Sequence, residues 1–227
     1  MCDDFIPRLK ASDLQKLAQQ RLAELQASGV ELLPVVNTTR KLAAHFWGQA
    51  WMKQLALCES GGMCLAPGRT LLRHGCVLDI RISEGCIEAL VSADELYEIH
   101  LQIATLEDEQ LNRLAASCNR HIDSLLSLLE GKTDAAVLQK LCDPENGLLP
   151  APGDWRMRCT CPDWSEPCPH AAAAIYAAGC LIDTNPALLF TLRGIQPKML
   201  LAQPAETGEI DTDKLSSIFG IDIDSAL

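Results

Sequence analysis

Three cysteines and one histidine fall within one twelve-residue segment, Cys159-Thr160-Cys161-Pro162-Asp163-Trp164-Ser165-Glu166-Pro167-Cys168-Pro169-His170. Side chains alternate along an extended chain, so Cys159 and Cys161 present their sulfurs on one face. Pro169 suits the first position of a helix, which places Cys168 at the N-cap and His170 in the first turn. A helix N-terminus favours a thiolate there. Four such ligands close a tetrahedron around Zn²⁺ and leave no position for a substrate. We therefore expect one Zn²⁺ bound by Cys159, Cys161, Cys168 and His170.

Two other interpretations of these cysteines are weaker. Free thiols in a reducing compartment rarely cluster with a histidine at ligand spacing. A disulfide is disfavoured because Cys159 and Cys161 are too close in sequence to bridge easily, and three cysteines leave one unpaired. The chain has eleven cysteines, and most of the others are expected to be small buried apolar side chains. These are Cys58, Cys64, Cys76, Cys86, Cys118, Cys142 and Cys180. A second metal site at Cys58 and Cys64 would lack another ligand pair nearby.

At the metal segment the chain resembles the SWIM zinc-finger family, whose pattern is Cys-x-Cys, a variable spacer and Cys-x-His. The match includes Cys-Pro-Asp-Trp at 161–164, Pro-Cys-x-His at 167–170 and the alanine-rich stretch that follows. Shorter matches are Phe46-Trp47-Gly48-x-x-Trp51, Pro67-Gly68-Arg69-Thr70 and Leu192-Arg193-Gly194, so the resemblance spans about residues 40–200. It implies a bacterial SWIM protein that acts as the companion of a Swi/Snf-type helicase. Pro169 replaces a lysine that many members carry, which removes a candidate phosphate contact.

Hydrophobic periodicity predicts an α+β protein. It has N-terminal helices, a small antiparallel β-meander, a helical segment and a zinc-stapled strand–knuckle–helix, the SWIM finger implied by the resemblance. The predicted boundaries are a helical region at 1–62, the meander at 63–104, the helical segment at 105–147, the zinc region at 148–203 and an acidic tail at 204–227.

Individual elements follow from the same periodicity. A leucine-led stripe predicts a first helix at 12–28, which packs on its own domain or binds a partner. Thr38 or Thr39 is expected to start a second helix at about 39–57, whose two tryptophans are core anchors. Alternation between Arg69 and Ile103 predicts three or four strands, with Thr70–Arg73 as the first candidate.

The charge balance argues against a general nucleic-acid binder. The chain has 30 acidic and 19 basic residues, a net charge of −11, whereas nucleic-acid affinity grows with the number of neutralised phosphates. Any nucleic-acid contact must therefore use a local basic patch or be supplied by a partner. The candidates for such a patch are Arg69, Arg73, Arg81, Arg156 and Arg158.

Three classes of function remain in competition. An accessory protein would use the zinc-stapled fold to bind a partner, nucleic acid or both, in a complex that contains a helicase or another ATP-driven translocase. A regulatory protein–protein scaffold would use the same fold without touching nucleic acid. An enzyme is not expected, because the chain has no phosphate-binding loop or catalytic-triad pattern and a closed Cys₃His site activates no water.

The acidic tail and the N-terminus bear on partners and location. Residues 205–227 carry six acidic side chains and one lysine, and their apolar side chains at helical spacing could dock on a partner or cap the chain's own core. The candidate anchors are Leu215, Ile218 and Phe219. No apolar run reaches the roughly 18 residues of a membrane span, and no basic signal region opens the chain, so a cytoplasmic location is expected.

Overall fold

The computed structural model describes residues 10–60, 65–118, 135–143 and 146–200. Within these ranges the helices are α1 (Ala11–Ala27), α2 (Phe46–Ser60), α3 (Ala66–Arg73), α4 (Asp108–Cys118), α5 (Ala135–Leu141), α6 (Pro169–Thr184) and α7 (Ala187–Leu192). The strands are β1 (Val77–Ser83), β2 (Cys86–Ser92), β3 (Leu96–Ile103) and β4 (Trp155–Cys159). Short 3₁₀ turns lie at Pro152–Asp154 and Pro197–Leu200. The predicted α+β class is confirmed.

The chain divides into two compact units. The first combines Met1–Leu106 with Leu148–Ile195 and contains the sheet and the metal segment. The second combines Glu107–Gly147 with Gln196–Leu227. In the described part of the second unit, α4 buries Leu111 and Leu114, α5 buries Leu138, and Lys140 Nζ donates to the carbonyl of Ser117. The domain boundaries drawn from the sequence remain predictions.

The sheet is antiparallel, with strand order β1-β2-β3-β4. Its inward rows are apolar, as in Ile80↔Ala89↔Ile99↔Cys159, because alternate side chains point to the same face. The outward rows are polar, and one of them crosses all four strands as Arg81↔Glu88↔His100↔Arg158. The antiparallel meander predicted from the alternation is therefore confirmed.

The prediction of a strand at Thr70–Arg73 is wrong, because these residues form the end of α3. The segment is short and its apolar residues do not distinguish a strand from a helix. In the structure Pro67 lies in the first turn of α3, and Gly68, Leu71 and Leu72 are buried. The meander consequently has three strands, and the fourth strand of the sheet is β4, which pairs with β3 through five residue pairs from Ile99↔Cys159 to Ile103↔Trp155.

Helix α2 begins at Phe46, later than predicted, because its N-terminal cap comes from far along the chain. The carboxylate of Asp183 accepts hydrogen bonds from the backbone N–H groups of Ala44 (2.7 Å), His45 (2.8 Å) and Gly48 (3.2 Å). These are the donors that a helix start leaves unpaired, so Asp183 takes the role expected of Thr38 or Thr39. The tryptophans of α2 are core residues as predicted, since Trp47 and Trp51 are both buried.

Helix α1 packs on its own unit. Its less exposed positions match the predicted stripe and lie against β1 and β2: Leu14, Leu17, Ala18, Arg21, Leu22 and Leu25. The Arg21 guanidinium fastens this helix to the β2–β3 turn, donating to Ser92 Oγ at 3.0 Å and to the carbonyl oxygens of Asp94 at 2.6 Å and Glu95 at 2.8 Å. The sequence left open whether this helix packs on its own domain or binds a partner, and in the structure it packs on its own unit.

Helix α6 is the centre of the first unit and is buried on all sides from Pro169 to Gly179. It contacts α2, α3, α7 and all four strands. Small residues on both sides of the contact allow this. A Cβ built on Gly68 of α3 would lie 2.5 Å from Ala172 Cβ and 2.6 Å from the Ala173 backbone nitrogen. A Cβ built on Gly179 would lie 2.5 Å from the Trp51 ring. The core therefore depends on backbones in direct contact.

We predict that Gly68→Ala lowers the free energy of unfolding by about 1–3 kcal/mol, the usual effect of overpacking. The added methyl group meets backbone atoms of α6, which cannot rotate away. Gly153→Ala is the matched control, since no atom lies within 4 Å of a Cβ built there. Urea denaturation followed by tryptophan fluorescence measures both. Equal stability of the two variants would contradict the close packing of α3 on α6.

Candidate metal centre

Strand β4 delivers the first two cysteines of the metal segment. Cys159 is its last residue and pairs with Ile99 on the inward face of the sheet. Pairing with β3 continues for one more residue, because the Thr160 N–H donates to the Glu98 carbonyl at 3.1 Å and Thr160 Oγ1 accepts from the Glu98 N–H at 3.0 Å. This anchor fixes the chain on both sides of Thr160, so Cys159 and Cys161 enter the loop in a defined geometry.

Helix α6 delivers the other two residues, as the sequence predicted. Cys168 is the N-cap, with extended backbone angles, and its Sγ accepts a hydrogen bond from the Ala171 N–H at 3.4 Å. Pro169 occupies the first helical position, where the absence of an N–H leaves nothing unpaired. His170 follows in the first turn and is 3% exposed. The helix start itself therefore sets the position of two donor atoms.

The four side chains form one cluster in which all potential ligand atoms lie within 4.8 Å of one another. His170 Nδ1 lies 3.9 Å from Cys159 Sγ and 4.0 Å from Cys168 Sγ. In a tetrahedral site with the usual metal–ligand bond lengths, neighbouring sulfur and nitrogen ligands are about 3.6 Å apart and two sulfurs about 3.8 Å. Small side-chain movements would therefore bring the four donors to a common ion.

The imidazole of His170 is held by packing rather than by strong hydrogen bonds. Its ring stacks on Tyr97 with a centroid distance of 4.2 Å and an interplanar angle of 30°. Its Nε2 is buried and has no hydrogen-bond partner among the described residues, and its Nδ1 has only long contacts to sulfur. A buried polar group without a partner costs about 1–3 kcal/mol. A metal ion at Nδ1 would leave that cost at Nε2 in place, but it would give Nδ1 a ligand bond in place of its two long contacts to sulfur.

The thiols respond differently to their surroundings. The pKa of Cys168 is lowered, first by the hydrogen bond from the Cys159 thiol and then by those from His170 and the Ala171 N–H. The pKa of Cys159 is raised, because its proton serves the Cys168 sulfur and because the thiol is partly buried. Burial also raises the pKa of Cys161. The lowered pKa of Cys168 favours the thiolate at the helix N-cap, which is the form in which sulfur binds a metal cation.

The donor set determines what the cluster can do. Three thiols and one imidazole suit borderline and soft transition-metal ions, and four such ligands complete a tetrahedron. The predicted residues Cys159, Cys161, Cys168 and His170 are thus brought together and could hold a metal ion. With all four positions taken by the protein, such an ion would link the end of β4 to the start of α6 and have no site for a substrate.

The loop between the two ligand pairs exposes a tryptophan. Trp164 is 97% exposed, although large apolar side chains are usually at least half-buried. The loop beside it is ordered by local bonds, since the Ser165 N–H donates to Asp163 Oδ1 at 2.9 Å. Trp164 belongs to the Cys-Pro-Asp-Trp match in the sequence, and the structure adds that its ring lies in solvent.

The candidate phosphate-binding arginines fall into three places. Arg156 and Arg158 lie on the outward face of β4, where they line a cleft of about 300 Å³ together with His100, Gln102 and Glu166. Arg81 lies on the outward face of β1 and is bound to Asp79 at 3.1 Å and to the Glu31 carbonyl at 2.9 Å.

The remaining two arginines belong to α3. The Arg69 guanidinium donates to the Tyr176 hydroxyl at 3.1 Å and lies over the same ring. Arg73 reaches the Arg40 carbonyl at 3.5 Å. The structure thus joins Arg156 and Arg158 in one cleft and places Arg81, Arg69 and Arg73 elsewhere with partners of their own. Leu215, Ile218 and Phe219 lie outside the described residues, as do Cys64 and the side chain of Cys58.

Comparison with known proteins adds one relative. The chain is 26% identical over 175 residues to uncharacterized protein Rv2102 of Mycobacterium tuberculosis. The alignment covers 74% of this chain and 62% of that protein, so the chain spans less than two thirds of its relative's length. No family model matches the chain, and no solved structure matches it. Among the described residues, none of the helices combines the length and apolar character that crossing a membrane requires.

Sequence reasoning missed two contributors to the site. Tyr97 lies within the predicted meander, and its stacking on His170 could not be inferred from local periodicity. Glu98 was not singled out, although its backbone anchors Thr160. The Glu98 contact depends on the pairing of β3 with β4, and the Tyr97 contact depends on the packing of α6 against β3, so neither could be read from one segment alone.

We predict that the purified protein carries about one tightly held transition-metal ion per chain and that Cys168→Ser abolishes it, because the N-cap thiolate is lost. Cys180→Ser is the matched control, since this cysteine lies on the same helix but outside the cluster. Elemental analysis of each purified variant measures the content. Undiminished metal in Cys168→Ser would show that another set of residues binds it.

Proposed function

We propose that this chain is a SWIM-type zinc-finger accessory protein that mediates protein contacts, nucleic-acid contacts or both in a complex containing a Swi/Snf-type helicase or a similar ATPase. The observation that carries the proposal is the cluster of Cys159, Cys161, Cys168 and His170 at the junction of β4 and α6. Its order along the chain is that of the SWIM pattern, and its members come together in space. The metal we assign is Zn²⁺, which is bound tetrahedrally by such donors in structural sites.

The proposed role of the zinc is structural. Four protein ligands leave the ion without an exchangeable position, so the activity we propose is binding, with no chemical step at the metal. Structural zinc contributes on the order of 10–16 kcal/mol to folding in small peptides. Here it would fix the exposed loop that carries Trp164 against the edge of the sheet, and this fixed loop is the reason we place the contact surface there.

The proposed nucleic-acid surface is the β4 edge of the outward face, with Arg156, Arg158 and Trp164. Arginines that line a cleft can contact phosphates, and exposed tryptophans provide platforms for unpaired bases. Glu166 lines the same cleft and lies two residues from Trp164 in the sequence, which places the tryptophan loop beside the arginines. The combination favours single strands over duplex, since an unpaired base is free to stack.

Charge supports a second candidate, a regulatory scaffold that contacts only proteins. The net charge is −11, and Arg69, Arg73 and Arg81 are engaged in contacts within the chain. Of the five candidate arginines, the pair in the β4 cleft is then the one left to contact phosphates, and Glu166 lies beside it. In this case Trp164 would insert into a protein partner, because exposed aromatic side chains are common anchors of interfaces.

We predict weak, salt-sensitive binding of a fluorescent single-stranded oligonucleotide. Replacing both Arg156 and Arg158 by Gln should reduce the slope of log affinity against log salt, by about one for each phosphate that the variant no longer neutralises. Trp164→Ala should weaken binding by about 1–3 kcal/mol, the contribution of one stacked base. Fluorescence anisotropy at several salt concentrations measures both effects.

Arg113→Gln is the control for this experiment, since Arg113 is an exposed arginine of the second unit. It should leave the affinity unchanged. Tight binding that survives removal of Arg69, Arg73, Arg81, Arg156 and Arg158 would place the nucleic acid on another surface. Absence of any binding at low salt would favour the scaffold.

We also predict that the chain co-purifies with a Swi/Snf-type helicase of the same genome when the two are co-expressed. If Leu215, Ile218 and Phe219 anchor the contact, a chain ending at Pro204 should keep its metal and lose the helicase. Retention of the helicase by the shortened chain would move the contact to the folded units. Failure of the full chain to bind would contradict the proposed partner.

A further inference from the structure

A second cluster of metal-ligating side chains lies on the outward face of the sheet. Cys86 and Glu88 are alternate residues of β2, and His100 is the β3 residue directly opposite Glu88. Their potential ligand atoms all lie within 4.8 Å of one another. Cys86 was expected to be a small buried apolar side chain, but it is only partly buried and faces the same side as two polar neighbours.

The distances within this cluster fit a shared ion. Cys86 Sγ lies 3.5 Å from His100 Nδ1, and Glu88 Oε1 lies 3.6 Å from the same nitrogen. For tetrahedral Zn²⁺, a sulfur and a nitrogen ligand are about 3.6 Å apart, and a nitrogen and a carboxylate oxygen about 3.4 Å. The distances from His100 Nδ1 to Cys86 Sγ and to Glu88 Oε1 are therefore both close to those between ligands of one metal ion. An ordinary cross-strand pair does not require this spacing.

Two strands hold the donors rigidly. Strand β2 is paired on both sides, with β1 at Ile87↔Ile82 and with β3 at Ile87↔Leu101, so its side chains cannot turn to the other face. The side chains remain open to solvent, since those of His100 and Glu88 are 42% and 63% exposed. An ion could thus reach the three side chains without unfolding of the sheet, and it would be coordinated by both the protein and water.

The neighbouring charges permit a divalent cation. A thiolate at Cys86 and the carboxylate of Glu88 together balance a charge of two. Arg81, next to Glu88 in the outward row, is already bound to Asp79 at 3.1 Å. Arg158, opposite His100, is the remaining cation of the row and would lower the affinity. We expect a site weaker than the four-donor cluster.

We propose that Cys86, Glu88 and His100 form a second, exchangeable site for Zn²⁺ or a related divalent first-row ion, with one coordination position left to solvent. Three donors of this kind leave a tetrahedral ion with an open position, in contrast to the closed Cys₃His set. The site goes beyond the proposed accessory function and does not depend on it, because no residue is shared between the two clusters.

Metal titration of the full-length protein tests the second site. The protein is purified with its tightly held metal in a phosphine reductant and titrated with Co²⁺, and the bound ion is counted by equilibrium dialysis. One further ion per chain is expected, together with a thiolate-to-cobalt charge-transfer absorption. Cys86→Ser should remove that absorption, and Glu88→Gln and His100→Gln should each lower the affinity at least tenfold.

Two controls make the result decisive. His74→Gln removes a histidine that belongs to neither cluster and should leave the second ion in place. Glu88→Gln is the variant least able to disturb folding, since its side chain is largely exposed, so it decides the matter if Cys86→Ser misfolds. Absence of a further ion in the unaltered protein, or binding that all three variants retain, would overturn the proposal.

Discussion

The close contact of α6 with its neighbours is the constraint on which the first unit depends. Helix α6 is buried on every side over most of its length, and the small side chains of Ala171–Ala174 let other backbones approach it. Gly68 and Gly179 provide the same closeness from two directions. The sheet and the other helices of the first unit can therefore surround α6. Polar groups lie at both ends of this helix.

The two ends of α6 carry complementary polar groups. At the start, Cys168 caps the helix and offers a sulfur to the metal cluster. Near the end, the buried carboxylate of Asp183 accepts hydrogen bonds from the backbone N–H groups at the start of α2. Burying Cys168 or Asp183 without partners would be unfavourable. The hydrogen bonds to Asp183 compensate for its burial, and a cation bound by the metal cluster would do the same for Cys168. The position of α6 along its axis is thus fixed at both ends.

Much of the fold was predictable from short-range pattern. The alternation between Arg69 and Ile103 predicted the strands of the meander, and the spacing of the Cys₃His segment predicted its strand and helix geometry, because these signals lie within a few residues. Long-range contacts were not predictable in this way. The start of α2 depends on Asp183, 135 residues beyond Gly48. The helix at Ala66–Arg73 depends on packing against Ala172, and the cluster at Cys86 depends on the register of β2 with β3.

The place of β4 in the sheet has a consequence for how the chain is organised. The pair Ile103↔Trp155 and the bond from the Ala104 N–H to the Asp154 carbonyl bring the chain back to the point from which it left the sheet. Strands β3 and β4 thus pair directly, although residues 107–147, which belong to the second unit, lie between them in the sequence. The register of β4, and with it the positions of Cys159 and Cys161, is therefore set by pairing with β3 and not by a short connection between the two strands.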